Sequence, residues 1–277
     1  MSGTEIADPT QLGATQIVEA MRDGKLSSRA LMEAVLDRID RLNPGINAIV
    51  SLRPRAELLA EARDRDNRAL AGPLHGLPVA IKDLVATKGL RTTFGSPVFA
   101  DNIPEADDLV AARLKAAGAI VIGKTNTPEW GHGSHTFNPV FGPTRNPYDP
   151  ACSAGGSSGG AAAALAARML PLADGSDMMG SLRNPAAFCN VYGFRPSWGL
   201  VPQDSGGDTF LSTLSTEGPM ARSPRDLALL LSVLAGPNPE APFGRPPPDL
   251  SDIGCETLSG KRIGWLADWG GAYPLEP

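Results

Sequence analysis

The sequence predicts an α/β fold, in which helices pack over a central sheet. Segments with apolar residues at helical spacing alternate along the chain with short apolar runs that are typical of buried strands. The chain has 277 residues, of which 42% are hydrophobic and 20% are charged, a composition that is ordinary for a globular protein. It is therefore long enough to build a sizeable core, as one large domain or two.

Residues 1–70 are expected to form a helical region that packs on the core and carries no chemistry. Apolar residues recur at helical spacing through residues 11–43, with Ser28 as the expected N-cap of a second helix. Asn-Pro-Gly at residues 43–45 is expected to end that helix. A short strand and a charged helix complete the region, over residues 46–52 and 55–70.

Residues 71–236 are expected to hold the sheet and the chemistry. A buried strand is predicted over residues 77–81, and it delivers Lys82 at its C-terminal end. The other predicted elements are helices over residues 107–117, 161–169 and 223–234, and strands over residues 119–122 and 170–173. Residues 213–220 are expected to lead into the last of these helices.

Charge and cysteine content narrow the class of protein. The formal net charge of −5 argues against nucleic acid or an anionic membrane as a partner. Cys152, Cys189 and Cys255 are widely spaced and form no Cys-x-x-Cys pair, so neither a disulfide framework nor a zinc site is expected. The first residues include acidic side chains and no apolar run of signal-peptide length. We therefore expect a soluble, cytoplasmic protein.

Two patterns in the central region resemble ligand sites that the local sequence disfavours. Residues 118–125, GAIVIGKT, satisfy the phosphate-loop pattern, but the middle of the motif is a β-branched strand and not a flexible loop. Nucleotide binding is therefore not expected. His132 and His135 have the spacing of a metal pair, yet no carboxylate or cysteine completes the set, so no metal is expected.

The stretch of residues 151–190 is the least ordinary part of the sequence. It is rich in Ala, Gly and Ser, so its backbone can approach itself or a ligand with few side chains in the way. Ser157 lies between glycine pairs, and Ser181 opens a turn that is expected to enter a short helix. Backbone N–H groups at a helix start lack internal partners and suit a developing oxyanion. Both serines are therefore candidate catalytic residues.

A catalytic serine needs a base, and the histidines are badly placed to supply it. His75, His132 and His135 all precede both serines, whereas the G-x-S-x-G hydrolase elbow takes its histidine from downstream. No lysine has a serine three positions before it, so the S-x-x-K pairing is absent as well. Lys82 remains as the candidate base, because burial at a strand end disfavours the ammonium form. In isolation, a surface lysine is the alternative interpretation.

Three motifs, in order and in register, resemble the amidase signature family. They are GLPVAIKD at residues 76–83, GGSSGG at residues 155–160, and GSD-x-x-GS-x-R-x-PA at residues 175–186. The resemblance implies hydrolysis of a carboxylic amide, with Ser181 as nucleophile, Ser157 as bridging serine on a cis peptide, and Lys82 as base. It also implies a mixed β-sheet core sandwiched between helices, and no cofactor.

The resemblance assigns further roles around this triad. The residues expected to hold the oxyanion or the substrate are Met178, Met179, Gly180, Ser134 and Gly133. The residues expected to support the triad are Ser158, Ser176, Asp177 and Arg183.

Met179 departs from the family pattern, which commonly has glycine at this position. A side chain is tolerated there if the oxyanion site uses main-chain groups alone. A positive φ at Met179 would instead strain the residue by about 1–2 kcal/mol. A third interpretation is that Met178 and Met179 narrow the acyl pocket, which suits the pliable methionine side chain.

Residues 237–277 are expected to form a proline-rich connector and the start of an incomplete C-terminal part, with a strand over residues 261–267. Amidase signature enzymes usually continue well past this point, so the resemblance implies a chain that lacks the C-terminal part. A fragment or truncated product is one explanation, and a partner that supplies the missing surface is another.

The resemblance implies an amidase that acts on linear amides through an acyl-enzyme. The expected substrate is then a small-molecule amide, and neither nucleic acid nor a membrane is expected as a partner. The resemblance leaves open whether the chain forms a homodimer. One alternative is the glutaminase-type subunit of a tRNA-dependent amidotransferase, which passes ammonia to a partner. A second alternative is a non-catalytic truncated fragment.

Overall fold

The computed structural model describes residues 6–203, 212–239, 241, 243–250, 253, 257–265 and 269–272. Over these residues the α-helices are α1 (Ala14–Arg22), α2 (Ser28–Ile46), α3 (Arg55–Asp66), α4 (Leu109–Ala116), α5 (Gly159–Ala166), α6 (Arg183–Phe188) and α7 (Pro224–Leu234). The β-strands are β1 (Ile49–Val50), β2 (Pro78–Lys82), β3 (Ile120–Thr125), β4 (Leu172–Asp177), β5 (Tyr192–Gly193) and β6 (Thr216–Ala221). Helices and strands alternate along the chain, so the predicted α/β fold is confirmed.

The strands form two three-stranded sheets that meet through β2 and β4. One sheet has the order β1-β3-β2, with β2 parallel and β1 antiparallel to β3. The other has the order β4-β6-β5, and both outer strands run antiparallel to β6. The N–H of Lys82 at the end of β2 donates to the Asp174 carboxylate on β4 at 3.1 Å. Strand directions are therefore mixed, as expected.

One hydrophobic core joins the helices to the sheets. Its buried residues come from α1 to α7 and from β1, β2, β3, β4 and β6. α5 consists almost entirely of glycine and alanine and packs closely against the residue that follows β3. A Cβ at Gly160 would lie 2.3 Å from the backbone nitrogen of Asn126. Only glycine permits this approach to the end of β3. The serines directly before α5, Ser157 and Ser158, are thereby held in the protein interior.

α2 differs from the prediction at both ends. Its N-cap is Ser27 and not Ser28, because the Ser27 side chain accepts the N–H of Ala30 at 3.0 Å. The helix also continues past Pro44 and ends where Asn47 takes a left-handed conformation with a φ of 57°. A proline in the last turn removes one hydrogen bond, and the left-handed cap still closes the helix.

Three strand predictions also differ from the structure. Residues 174–177 belong to β4, because they pair with β6 and do not form a turn. Residues 216–221 form β6, the central strand of its sheet, whereas a lead into α7 was expected; Gly218 and Pro219 obscure the strand pattern. Residues 261–265 are exposed and form no strand, so that prediction is wrong there. Residues 266 and 267 lie outside the described residues.

The expected boundaries between residues 1–70, 71–236 and 237–277 stay a prediction. The described residues before and after the first boundary share one core, in which Leu36 and Ile81 are both buried. None of the helices in the described ranges is long and apolar enough to cross a bilayer.

Candidate active site

Lys82 carries a fully buried amine at the end of β2. The preceding residues of the strand are apolar and buried, so β2 runs through the interior and ends inside the protein. The amine nitrogen donates hydrogen bonds to the hydroxyls of Ser157 at 2.8 Å, Ser158 at 2.8 Å and Ser176 at 2.9 Å. A buried lysine is thus surrounded by hydroxyl oxygens.

Two separate elements supply these hydroxyls. Ser157 and Ser158 precede α5, and the Gly156–Ser157 peptide bond is cis, as the resemblance implies. Ser157 is 2% exposed and Ser158 is fully buried. Ser176 comes from β4, whose pairing with β6 keeps it beside the end of β2. Ser158 and Ser176 therefore contact the lysine, and their expected role in supporting the triad stays a prediction.

The surroundings of the Lys82 amine bring its pKa closer to neutral pH. Burial lowers the pKa of Lys82 to about 8, and the carboxylates of Glu217, Asp174 and Asp177 oppose part of this effect. The hydrogen-bond partners of the amine are neutral hydroxyls and not carboxylates. A hydroxyl accepts a hydrogen bond from an ammonium group and donates one to a neutral amine. The arrangement is therefore able to move a proton between Lys82 and Ser157.

A glycine of the loop after β3 lies over Ser157. A Cβ at Gly131 would lie 3.6 Å from Ser157 Oγ and 2.6 Å from the Leu84 side chain, and its φ of 70° also requires glycine. Sequence reasoning selected Gly133 and Ser134 of the same loop instead. A Cβ at Gly133 would have no other atom within 4 Å. The carbonyl carbon of Ser134 would lie 2.9 Å from a Cβ at Gly156, the residue before the cis peptide bond. Their role as substrate contacts stays a prediction, and nothing in the sequence distinguishes Gly131 from its neighbours.

The carboxylate of Asp177 organises the turn between β4 and α6. It accepts the N–H groups of Gly180 at 2.7 Å and Leu182 at 3.1 Å. Arg183 and Arg195 form ion pairs with it at 3.0 Å and 2.8 Å. Burial opposes ionisation, but the hydrogen bonds from Arg183 and the backbone hold the pKa of Asp177 well below its usual range. The expected contact of Arg183 is present, and Arg195 is an addition that sequence reasoning missed.

This turn bears on the expectation for the oxyanion donors. The N–H of Gly180 donates to Asp177 in this arrangement, and the expected role of Gly180 at the oxyanion or the substrate stays a prediction. Among the described residues, no acceptor is seen for the N–H groups of Met178, Met179 and Ser181, which stay candidate donors. Met179 does not have a positive φ, so no such strain arises there. The side chains of Met178 and Met179 are exposed, and the interpretation that they narrow an acyl pocket stays a prediction.

Ser181 lies in the same turn, directly after Gly180, and is partly exposed. No hydrogen bond joins its hydroxyl to Ser157 within the ranges that the structure describes. The structure therefore brings Lys82 and Ser157 together, while the participation of Ser181 stays a prediction.

A second buried lysine, Lys124 on β3, lies close to the site. Its amine donates to the carbonyl oxygen of Val85 and, at 3.0 Å, to the hydroxyl of Thr87. Burial lowers the pKa of Lys124 to about 8. This lysine belongs to the phosphate-loop pattern, and it lies within a fully buried strand, as the β-branched residues before it predicted. A flexible phosphate cradle is therefore not formed by these residues.

Two acidic residues beside the site were not selected from the sequence. Asp174 on β4 accepts the N–H of Lys82, and burial raises its pKa. Glu217 on β6 pairs in register with Ser176, and burial raises its pKa to about 8. Around Asp174 and Glu217 the sequence does not alternate between apolar and polar residues. It therefore gives no indication that these acids lie beside the buried lysine. Their place becomes visible only through the pairing of β4 with β6.

Comparison with known proteins relates this geometry to one family. A family model described as Amidase matches residues 30–276. The chain is 50% identical over 264 residues to a glutamyl-tRNA(Gln) amidotransferase subunit of Thermus thermophilus, a match that covers 91% of this chain and 55% of that protein. It is 41% identical over 267 residues to an acylamidase of Rhodococcus erythropolis, with 94% and 55% covered.

The similarity extends to solved structures. A bacterial aryl acylamidase of the amidase signature enzymes superimposes with a TM-score of 0.79 at 36% identity, covering 85% of this chain and 50% of that chain. The chain spans about half the length of the curated relatives that it matches.

Proposed function

Because this chain belongs to the amidase signature family, we propose that it hydrolyses a small carboxylic amide to a carboxylate and ammonia or an amine. The proposed catalytic residues are Lys82 as base, Ser157 as proton relay and Ser181 as nucleophile. The observation that carries the proposal is the fully buried amine of Lys82, which donates to Ser157 Oγ at 2.8 Å. The two residues are 75 positions apart in the sequence.

In the first half of the proposed reaction, neutral Lys82 takes the proton of Ser157 while Ser157 takes the proton of Ser181. The Ser181 oxygen then attacks the amide carbon. The lowered pKa of Lys82, about 8 through burial, supplies the neutral amine close to neutral pH. The N–H groups of Met178, Met179 and Ser181 hold the oxyanion that forms.

Collapse of this intermediate requires a proton on the leaving nitrogen. Lys82 returns its proton through Ser157 to the amine, which departs and leaves the acyl group on Ser181. Water then attacks the acyl-enzyme while the lysine takes a proton from it through Ser157; the bond to the Ser181 oxygen breaks, the carboxylate leaves, and the proton returns through Ser157 to Ser181. Asp177 keeps the turn that carries Ser181 in place, since two arginines and two backbone N–H groups hold its carboxylate.

The second candidate is a glutaminase role within a tRNA-dependent amidotransferase. It is favoured by the 50% identity to the amidotransferase relative, which exceeds the 41% identity to the acylamidase. The same hydroxyl-lined lysine serves both reactions, because each starts with attack of a serine on a carboxamide. The two candidates differ in the acyl group and in whether a partner receives the ammonia. Ammonia release from glutamine, compared with release from simple aliphatic and aryl amides, separates them.

Serine-directed labelling tests the proposal. We expect a fluorophosphonate to label Ser181 in the unchanged chain, and Ser181→Ala to reduce labelling and amide turnover by about 10⁶-fold, because the nucleophile is lost. Mass spectrometry of peptides locates the label. Ser232→Ala, which removes an exposed hydroxyl of α7, is the control and should label like the unchanged chain. A chain that melts cooperatively, yet shows neither labelling nor ammonia release, would contradict the proposal.

A further inference from the structure

Glu217 is a partly exposed acid with one buried carboxyl oxygen, and the proposed mechanism does not use it. It lies on β6 directly opposite Ser176 of β4 in the antiparallel register. Directly opposed residues project from the same face of a sheet, with Cβ atoms about 4.5–5.5 Å apart. The hydroxyl of Ser176 accepts the amine of Lys82 at 2.9 Å. The pairing therefore places the carboxyl of Glu217 on the face of β6 that is turned toward Lys82.

The surroundings of Glu217 leave its carboxyl poorly satisfied. Glu217 is partly exposed as a residue, but its Oε2 atom is buried and has no hydrogen-bond partner among the described residues. Its Oε1 atom accepts a hydrogen bond from the side-chain amide of Gln203 at 3.4 Å. Glu217 lines a cavity of about 240 Å³ together with Leu84 and Val85, which lie two and three residues after Lys82. A buried carboxylate oxygen without a donor is costly, so the charge of this group depends strongly on the nearest cation.

We propose that Glu217 is a positioning residue whose charge sets the proton affinity of the Lys82 amine. When Glu217 is ionised, it favours the ammonium form of Lys82; when Glu217 is protonated, the neutral amine is favoured. The inference deepens the proposed function, since it rests on Lys82 as the base of that reaction. Glu217 touches no substrate in this scheme and acts through the lysine alone.

Other charged groups around Lys82 are already engaged. Asp174 on β4 accepts the backbone N–H of Lys82, and Asp177 at the end of the same strand is paired with Arg183 and Arg195. Lys124 on β3 is held by a carbonyl and a hydroxyl. Asp108, before α4, lines the same cavity as Glu217 and accepts the N–H of Ala86. Glu217 is thus the neighbouring acid with an unpartnered buried oxygen, and burial raises its pKa to about 8.

A substrate-free titration tests this inference. Lysine labelled with carbon-13 at Cε reports the protonation of Lys82 by NMR, and Lys82→Met and Lys124→Met assign the two buried signals. We expect Glu217→Gln to move the Lys82 midpoint about 1 pH unit lower, because a nearby negative charge no longer stabilises the ammonium form. Glu57→Gln, on the exposed face of α3, removes the same charge far from the site and should leave the midpoint unchanged.

The outcomes separate this inference from the proposed function. A Lys82 midpoint that stays the same in folded Glu217→Gln overturns the role of Glu217, whatever the chain does to amides. A lowered midpoint in a chain that hydrolyses no amide supports the role of Glu217 and counts against the proposed function. Glu217→Asp keeps the charge and should return the midpoint toward that of the unchanged chain. If Glu217→Gln does not fold, Glu217→Met removes the charge without a buried amide and gives the same readout.

Discussion

Two buried lysines on neighbouring strands teach different lessons about this fold. Lys82 ends β2 and Lys124 lies one residue before the end of β3, the strand that runs parallel to it. Lys124 is in register with Ile81, so the two lysine side chains leave the sheet on opposite faces. Both are fully buried, and burial lowers the pKa of each to about 8. Burial and pKa alone therefore do not identify the base.

The partners of the two amines make the difference. Lys124 donates to the carbonyl oxygen of Val85, which accepts hydrogen bonds and never donates one. Among the described residues, the partners of the Lys82 amine are hydroxyls alone, and a hydroxyl can change from acceptor to donor when the amine loses a proton. We infer that Lys124 acts as a structural donor that ties β3 to the turn after β2, whereas Lys82 is suited to proton transfer.

The largest expected effect is that of Lys82→Met. Removal of the base should slow serine labelling and amide turnover by about 10³–10⁴-fold, because general base catalysis contributes factors of this size. The rate of fluorophosphonate labelling measures it. Circular dichroism should show an unchanged fold, since a buried polar group is replaced by an apolar one. Labelling at an unchanged rate in folded Lys82→Met would remove this lysine from the mechanism.

Lys124→Met should have its effect on stability instead. The carbonyl of Val85 and the hydroxyl of Thr87 lose their donor, so the free energy of unfolding should fall by about 2–3 kcal/mol. Urea unfolding at a fixed pH measures this loss. The labelling rate per folded molecule should stay near that of the unchanged chain. A loss of labelling as large as that of Lys82→Met would mean that the two lysines do not differ in role.

The smallest effects come from single hydroxyl partners, and they sharpen the comparison. Ser176→Ala removes one acceptor of Lys82 and should slow labelling about tenfold, which corresponds to about 1.4 kcal/mol. Thr87→Val removes the matching acceptor of Lys124 and should lower the free energy of unfolding by about 1 kcal/mol without changing the labelling rate. Both variants are measured by the same two assays. The assignment would be contradicted if Thr87→Val slowed labelling, or if Ser176→Ala lowered the free energy of unfolding and left the labelling rate unchanged.

Much of the site could be predicted because its parts are local patterns. The apolar run before Lys82 predicted a buried strand end, and the structure has β2 over Pro78–Lys82. The β-branched residues before Lys124 predicted a strand in place of a phosphate loop, which is also what the structure shows. Strand type depends mainly on a few neighbouring residues, so these features follow from short stretches of sequence.

Other parts depend on strand pairing and could not be predicted. β6 contains Gly218 and Pro219, which weaken any strand signal, yet it is the centre of its sheet. Its partner β4 continues through the small and acidic residues 174–177, which resemble a turn when considered alone. The positions of Asp174, Ser176 and Glu217 around Lys82 follow from this pairing. The use of the Gly180 N–H by Asp177 likewise depends on how the turn closes.

The sequence by itself determined the α/β class, the order of most elements and the residues available for chemistry, because these depend on local spacing and residue type. The tertiary structure alone decided that the described partners of Lys82 are all hydroxyls, whereas Lys124 donates to a carbonyl as well as to a hydroxyl. Each lysine lies at or next to the end of a buried strand, so the local sequence predicts the same environment for both. Their partners differ because α5 and β4 bring the hydroxyls of Ser157 and Ser176 to the end of β2. These serines lie 75 and 94 residues after Lys82 in the sequence.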